Sequence, residues 1–508
     1  YEITYGDWSS DVCSSDLTRT TAIDNKANSD NSSWTSSIRF NRSFKNRDRW
    51  FSAYYKFDKN DDSSDGILKS DEHYIIYTGI PDSSINQKKI SSGKEMAHYA
   101  SVNYTQPLSK KVKLNFTFDY SQSSRKKTKL ALDFSGVNYD LENTNYSNIF
   151  KTERAISRFG TKFIYSLKKY SFTLGARWRQ VDAANTNEVT GEKISQTVKN
   201  ILPLAYYNYK FSDNNSLSFR YNTDSKQPEL NQLQPVPDNS NPNYIRTGNP
   251  DLLPTYRHTF DFNYNAYKPI SGRNIWSYVS YSINDNAFAN STSYDSIGRT
   301  ISKTVNVDGN GSSYGYLDFT FPVAGKKLKI NPAVNYSYSR TSSYINGLKN
   351  TATNFSPTFS LDFEVVIDTL EISAGGNYNY ENISSTLSER SNETSTSFGC
   401  DASFACELPL NFKIETEAEY EDNSRRAAGY NVNYVLLNAT LTKSFGKSKD
   451  FSIGIIAKDI LNENTNIDRN VEDNVISDTK YKVIGRYFLF NVSYKFNSSK
   501  KEEDEEGN

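Results

Sequence analysis

The chain has 508 residues, and its 59 Lys and Arg are balanced by 59 Asp and Glu. Zero formal net charge leaves no electrostatic footprint for nucleic acid. No stretch approaches the ~20 consecutive apolar residues of a spanning helix, which excludes a helical membrane protein but not a β-barrel, whose lumen-facing half is polar.

At the N-terminus, Asp7 to Leu17 resembles the in-frame translation of a common sequencing adapter over its whole length. The expectation is that residues 1–17, Cys13 among them, are an assembly artefact where the upstream protein was cut away; they are set aside from fold reasoning. From Trp34 the chain falls into alternating segments, and successive side chains of a strand point to opposite faces. Trp34–Phe44 is the first. Lys111–Ser121 places Val112, Leu114, Phe116, Phe118 and Tyr120 on one face, with Lys113, Asn115, Thr117 and Asp119 on the other. Phe260, Phe262 and Tyr264 alternate with Asp261 and Asn263 in the same way. In a single strand Cys400 and Cys406 share a face about 20 Å apart, too far for a disulfide. Phe412–Asp422 sets Phe412, Ile414, Ala418 and Tyr420 against Lys413, Glu415, Glu417, Glu419 and Glu421. The last strand, Arg486–Phe496, alternates Phe488, Phe490, Val492, Tyr494 and Phe496 with Leu489, Asn491, Ser493 and Lys495. That length suits a strand tilted across a membrane. Residues 498–508 read as a charged disordered tail.

The connections give the orientation. Short turns at Lys45–Arg47, Pro107–Lys110, Lys168–Lys169, Ser212–Asn215, Pro269–Gly272, Gly325–Lys327, Ile367–Thr369, Leu408–Asn411 and Gly446–Asp450 alternate with long polar connections. The long ones include 58–95, 122–154, 180–196, 223–255 and 460–484. Outer-membrane barrels alternate in this way, with tight periplasmic turns and long extracellular loops. The predicted fold is all-β: a large antiparallel transmembrane β-barrel over 18–497, with about 19 strands against the 22 of plugged transporters. First and last strands both run from the outer to the periplasmic side, so an odd number of strands is expected to be missing at the front. An extra hairpin within 286–311 would change that number. A gapped seam between first and last strands is expected.

The most specific stretch is Gln227-Pro228-Glu229-Leu230-Asn231-Gln232-Leu233-Gln234-Pro235, followed by Gly248-Asn249-Pro250-Asp251-Leu252 and Pro254. Physically it is a loop: proline fixes φ, Gly248 permits a positive φ, and Asn249-Pro250 starts a turn before strand Tyr256–Tyr267. It resembles the Gly-Asn-Pro-x-Leu-x-Pro segment of TonB-dependent receptors, in particular the outer-membrane β-barrel family common in Bacteroidota. Lys458-Asp459-Ile460-Leu461-Asn462 and Arg486–Phe496 are similar to the same pattern, so the resemblance runs from Trp34 to Phe496. It implies a place in the cell outer membrane of a Gram-negative bacterium and active nutrient uptake driven through the TonB complex. It also implies outer-membrane lipid and the barrel-assembly machinery as partners, with a surface lipoprotein as a further candidate. Phe488, Phe490, Val492, Tyr494 and Phe496 would be the assembly signal. The sequence contains no plug domain and no TonB-contacting box, so the chain as written is expected not to transport in an energised way. The competing reading is a passive porin or plug-less scaffold.

Other residues carry less. Asn306–Gly311 superficially resembles a calcium loop, but Leu317 holds the twelfth position, and a turn is expected. His73, His98 and His258 lack metal-ligand spacing, and no nucleophile–base arrangement stands out among the serines. Neither an enzyme nor a metal or cofactor site is expected. The loop Gln227–Pro254 is expected on the extracellular side, against ligand or plug. Glu415, Glu417, Glu419 and Glu421 should face the lumen, where they would line a solute path, contact a basic plug, or simply hydrate the interior.

Overall fold

The computed structural model describes residues 19–45, 48–74, 82–233, 238–241, 244–295, 299–387, 392–424, 432–446, 448–472, 475–481 and 483–496. The readings made for 1–17, for 498–508 and for Gln234 and Pro235 lie outside the described residues.

The strands, in chain order, are β1 (Arg19–Ser43), β2 (Trp50–Tyr74), β3 (Ser83–Pro107), β4 (Val112–Phe134), β5 (Tyr139–Glu142), β6 (Asn148–Ser166), β7 (Tyr170–Asn187), β8 (Lys193–Ser212) and β9 (Asn215–Lys226). One helical turn, α1 (Leu230–Leu233), precedes β10 (Asp238–Asn241), β11 (Tyr244–Thr247), β12 (Thr255–Lys268), β13 (Arg273–Asp285), β14 (Ala287–Tyr294), β15 (Thr300–Val307), β16 (Asn310–Val323) and β17 (Leu328–Ile345). There follow β18 (Leu348–Ile367), β19 (Leu370–Ser385), β20 (Glu393–Leu408), β21 (Phe412–Ser424), β22 (Val432–Phe445), β23 (Phe451–Lys458), β24 (Asn466–Glu472), β25 (Val475–Tyr481) and β26 (Tyr487–Tyr494).

Eighteen successive antiparallel pairings join nineteen of these into one wall. It runs from β1 through β4, then β6 to β9, β12, β13, β16 to β23, and ends at β26. The strand count and the antiparallel order follow the sequence pattern. β5, β10, β11, β14 and β15 attach to the wall's rim and complete a 24-stranded sheet, while β24 and β25 pair separately. Among the described residues no helix is long and apolar enough to cross a membrane. No pairing between β1 and β26 occurs among the described residues, and both strands run from the long-connection end to the short-turn end. Direct closure between them would therefore be parallel, unlike every other joint in the wall.

The tight turns from Pro107–Lys110 to Leu408–Asn411 fall where the sequence places them, while Asn46, Arg47 and Lys447 of the turns Lys45–Arg47 and Gly446–Asp450 lie outside the described residues. Gly272 between β12 and β13 has φ 70°, and Gly446 after β22 has φ 80°, the left-handed region that glycine enters without a Cβ penalty.

Three expectations need correcting. The connections at 58–95, 122–154 and 180–196 are mostly strand: β2 and β3 pair up to Glu72↔Ser83, and β7 and β8 up to Thr186↔Lys193. Backbone ladders continue past the membrane whatever the side chains do, whereas alternation marks only the lipid-facing part. For the same reason the first strand begins at Arg19, not Trp34. The last strand is Tyr487–Tyr494, with Phe496 beyond it. The 286–311 region does form a hairpin, β14–β15, but β13 pairs directly with β16, so it adds nothing to the wall.

Cross-strand partners share a face, which fixes the two sides of the wall. Phe118, Phe159, Trp178 and Ile201 form one row across β4, β6, β7 and β8, and all are exposed. Thr117, Gly160, Arg177 and Leu202 form the adjacent row on the other face. Gln227, Pro228 and Leu233 line a cavity with Thr152, Arg154, Ala183, Asn185 and Gln196, which all belong to this second face. The polar face is thus the enclosed one, and the aromatic face looks out. Lys113 and Asp119 are on the inner side, with Val112, Phe116 and Phe118 on the outer.

Candidate functional site

The loop Gln227–Pro254 is built into the rim at the end opposite the short turns. Gln227, Pro228, Leu233, Gly248 and Leu252 are buried, and Leu252 has no exposed surface. The Leu252 carbonyl accepts a hydrogen bond from Gln196 Nε2 at 2.8 Å, which fixes the loop to the inner face of β8. Asn249 does three jobs at once. Its N–H donates to Gln232 O at 2.6 Å, its Nδ2 donates to Thr304 O at 3.0 Å, and its Oδ1 accepts from Asp251 N at 3.2 Å. This explains Asn before Pro250: a short side-chain amide can hold the turn and anchor it to β15 together. Leu253 and Asn306 exchange two bonds, N–H to Oδ1 at 2.8 Å and Nδ2 to O at 2.9 Å, and β11 lies parallel to β15 from Tyr244↔Thr300 to Thr247↔Lys303. Pro254 leads directly into β12. Gln227 and Pro228 thus share a cavity with Gln196, which holds Leu252, and Asn249 ties Gln232 to Thr304; no local signal marked Gln196 or Thr304, and Asn306 stood out only in the calcium-like stretch. Asn249→Ala should cost about 1–3 kcal/mol of loop docking, two side-chain hydrogen bonds, read as faster hydrogen exchange at Asp251 and Leu253 with the wall unchanged.

Glu415, Glu417, Glu419 and Glu421 lie on one face of β21, as expected. Lys413 Nζ donates to Glu415 at 2.6 Å, Tyr434 Oη donates to Glu421 at 2.6 Å, and Asn438 Nδ2 reaches Glu417 at 3.4 Å. Their register adds two acids that the sequence did not bring forward: Asp362, Gly375, Asp401 and Glu419 form a single row across β18 to β21. Asp362 and Asp401 both lean into the space left by Gly375, where a Cβ would collide with the Asp362 carboxylate. A cavity of about 430 Å³ lies along this arc, lined by Asn331, Asp362, Glu364, Glu371 and Asp401 among others. Such an arc attracts cationic surface.

On the outer face, Phe488, Phe490, Val492, Tyr494 and Phe496 are all exposed, and the first four pair with Ala457, Ile455, Ile453 and Phe451. Cys400 and Cys406 are free and face outward with Ile414 and Tyr420. Within Asn306–Gly311 only Asp308 and Gly309 lie outside strands and form the bend between β15 and β16, with Gly309 at φ 89° and Asp308 Oδ1 accepting from Asn286 N at 2.7 Å. The histidines lie apart, bonded to Asp82 (His73), Tyr55 (His98) and Tyr221 (His258).

A wall of antiparallel strands with an aromatic outer face, a polar lumen and a loop tied over one rim defines a transmembrane β-barrel of the outer-membrane type. The outer membrane protein beta-barrel family matches residues 42–368 and 340–494, and the chain belongs to that family. Its place is the outer membrane of a Gram-negative cell. None of the curated proteins matches it in sequence. Among solved structures it is similar to the hemophore receptor HasR of Serratia marcescens in complex with HasA and heme, at 9% identity and TM-score 0.47, covering 94% of this chain and 71% of that one. It is also similar to the FrpB iron transporter of Neisseria meningitidis, at 9% identity and TM-score 0.39, covering 94% and 77%. The siderophore receptor PiuA of Acinetobacter baumannii matches at 10% identity and TM-score 0.37, covering 93% and 81%.

Proposed function

We propose that the chain is the barrel of a TonB-dependent outer-membrane receptor that takes up a scarce nutrient actively. The observation that carries this reading is the Gly-Asn-Pro-x-Leu-x-Pro loop, Gly248 to Pro254, anchored inward by Leu252 and Asn249. A passive pore is served by an open mouth; a buried, multiply bonded loop over the lumen suits capture of a ligand. In its host, disrupting the gene should abolish one uptake activity that a protonophore also abolishes, in a panel of metal chelates, haem, oligosaccharides and peptides. Loss of only a protonophore-insensitive leak would support a passive pore instead.

The same reading places the loop outside the cell. Asp251 is exposed while Asn249 is engaged in its three bonds, so the label belongs on Asp251→Cys, with Cys13, Cys400 and Cys406 replaced. An impermeant maleimide should label it on intact cells. Protection that persists until the outer membrane is permeabilised would invert the orientation.

A further inference from the structure

The inner face of β6 and β7 carries Arg154, Arg158, Arg177 and Arg179. Arg158 and Arg179 stand directly opposite one another. Like charges in that position repel, so the wall holds an arrangement that costs stability unless something negative sits against it. Among the described residues none of the four is within ion-pair distance of a carboxylate. The guanidinium groups of Arg158, Arg154 and Arg177 all act against the Arg179 charge, and Asp224 acts in its favour. Asp119, opposite Arg158 on β4, accepts a hydrogen bond from Tyr99 at 2.9 Å.

Burial sharpens the point. Arg179 is only 6% exposed; one of its Nη atoms donates to the Ser225 carbonyl, and its Nε is buried without a partner. Arg177 Nε is buried and unpartnered as well, as are Thr152 Oγ1, Asn185 Oδ1, Asn200 Oδ1 and Gln227 Nε2 around the same patch. Buried polar groups in folded proteins are almost all satisfied, so these donors and acceptors are open to water or to a polar solute. The site is shaped for the arginines. A Cβ on Gly160 would come within 2.8 Å of Arg177 Cγ, so the missing side chain lets the Arg177 stem lie across β6. At its rim end, Gln227, Pro228 and Leu233 line a cavity together with Arg154. Guanidinium groups present paired N–H donors that match carboxylate and phosphate oxygens.

We propose that Arg154, Arg158, Arg177 and Arg179 form an anion-binding station on the lumen wall, for a small solute bearing at least two carboxylate or phosphate groups held beneath the Gln227–Pro254 loop. The proposal rests on the lumen and uptake reading above and names the charge class of what enters. The test is calorimetric titration of the whole chain, folded in detergent, with citrate and with pyrophosphate at constant ionic strength. Saturable binding of at least one anion is expected. It should weaken about tenfold or more in Arg158→Gln/Arg177→Gln, the loss of one or two charge-assisted bonds, and stay unchanged in Asp213→Asn, exposed in the tight turn between β8 and β9. Arg177→Gln alone serves if the double variant does not fold. No saturable binding of either anion, or equal binding by the arginine variants, overturns the proposal. Binding of poly-glutamate but neither small anion also overturns it, and assigns the patch to an acidic protein segment. Anion binding with no protonophore-sensitive uptake in the host leaves the station standing and overturns the transport reading alone.

Discussion

Phe118→Arg should destabilise the folded barrel by about 2–4 kcal/mol, the cost of a cation on the lipid face near mid-membrane. Phe118 is exposed on the outer face in the row Val102–Phe118–Phe159–Trp178–Ile201. It is the seventh residue of β4. With a rise of ~3.3 Å per residue and a tilt of ~45°, it lies about 14 Å in from the tight turn, near the middle of a ~25 Å apolar band. The inward neighbour Ser101, opposite Asp119, is the control, and Ser101→Arg should cost far less. Ile414 faces outward too, in the row Cys406–Ile414–Leu441–Ile455–Phe490, but it is only the third residue of β21. Ile414→Arg should therefore cost about 0–1 kcal/mol, since the penalty fades toward the interface, and Glu415→Arg no more. Folding equilibria of the four variants in lipid vesicles, measured in denaturant, give the values. Equal costs for Phe118→Arg and Ser101→Arg would contradict the assigned faces.

Leu252→Ala should release the loop. Leu252 is completely buried, and truncating a buried leucine costs about 2–5 kcal/mol. Here that cost falls on docking of the Gln227–Pro254 segment, because Leu252 touches the rim rather than the lipid-facing wall. Arg246, exposed on β11, then becomes accessible to trypsin, and its cleavage should speed up tenfold or more while the heat-modifiable gel mobility of the barrel persists. Unchanged cleavage would mean that the buried leucine does not hold the loop. Loss of heat-modifiable mobility would mean that the loop and the wall fold as one unit.

The wall was legible in the sequence because its two signals are local. Alternation such as Val112 to Tyr120 depends on one strand, and a turn such as Pro269–Gly272 depends on four residues. The rim was not legible, since a stretch such as Asp24–Ser33 shows no apolar alternation and joins β2 through a continuous backbone ladder. The motif loop announced itself through its prolines and Gly248, but its anchors did not. Gln196 and Asn306 lie on other strands and are ordinary polar residues until the register sets them against Leu252 and Leu253. The charged arcs show the same limit. Glu415 to Glu421 are visible as a run, whereas Asp362 and Asp401 join them only through the pairings of β18 to β21. Arg154 with Arg158, and Arg177 with Arg179, have the matching parity for one face of each strand; only the β6–β7 register puts Arg158 opposite Arg179.

The central claim is that this wall crosses a membrane with its aromatic face in lipid and its polar face in water. A spin-label accessibility scan of single cysteines from Phe116 to Ser121, in the protein reconstituted into vesicles, reads that claim residue by residue. Labels at Phe116, Phe118 and Tyr120 should collide with lipid-dissolved oxygen, and labels at Thr117, Asp119 and Ser121 with a water-soluble nickel chelate, giving a period of two. A scan without that alternation, or one with its phase reversed, would contradict the account.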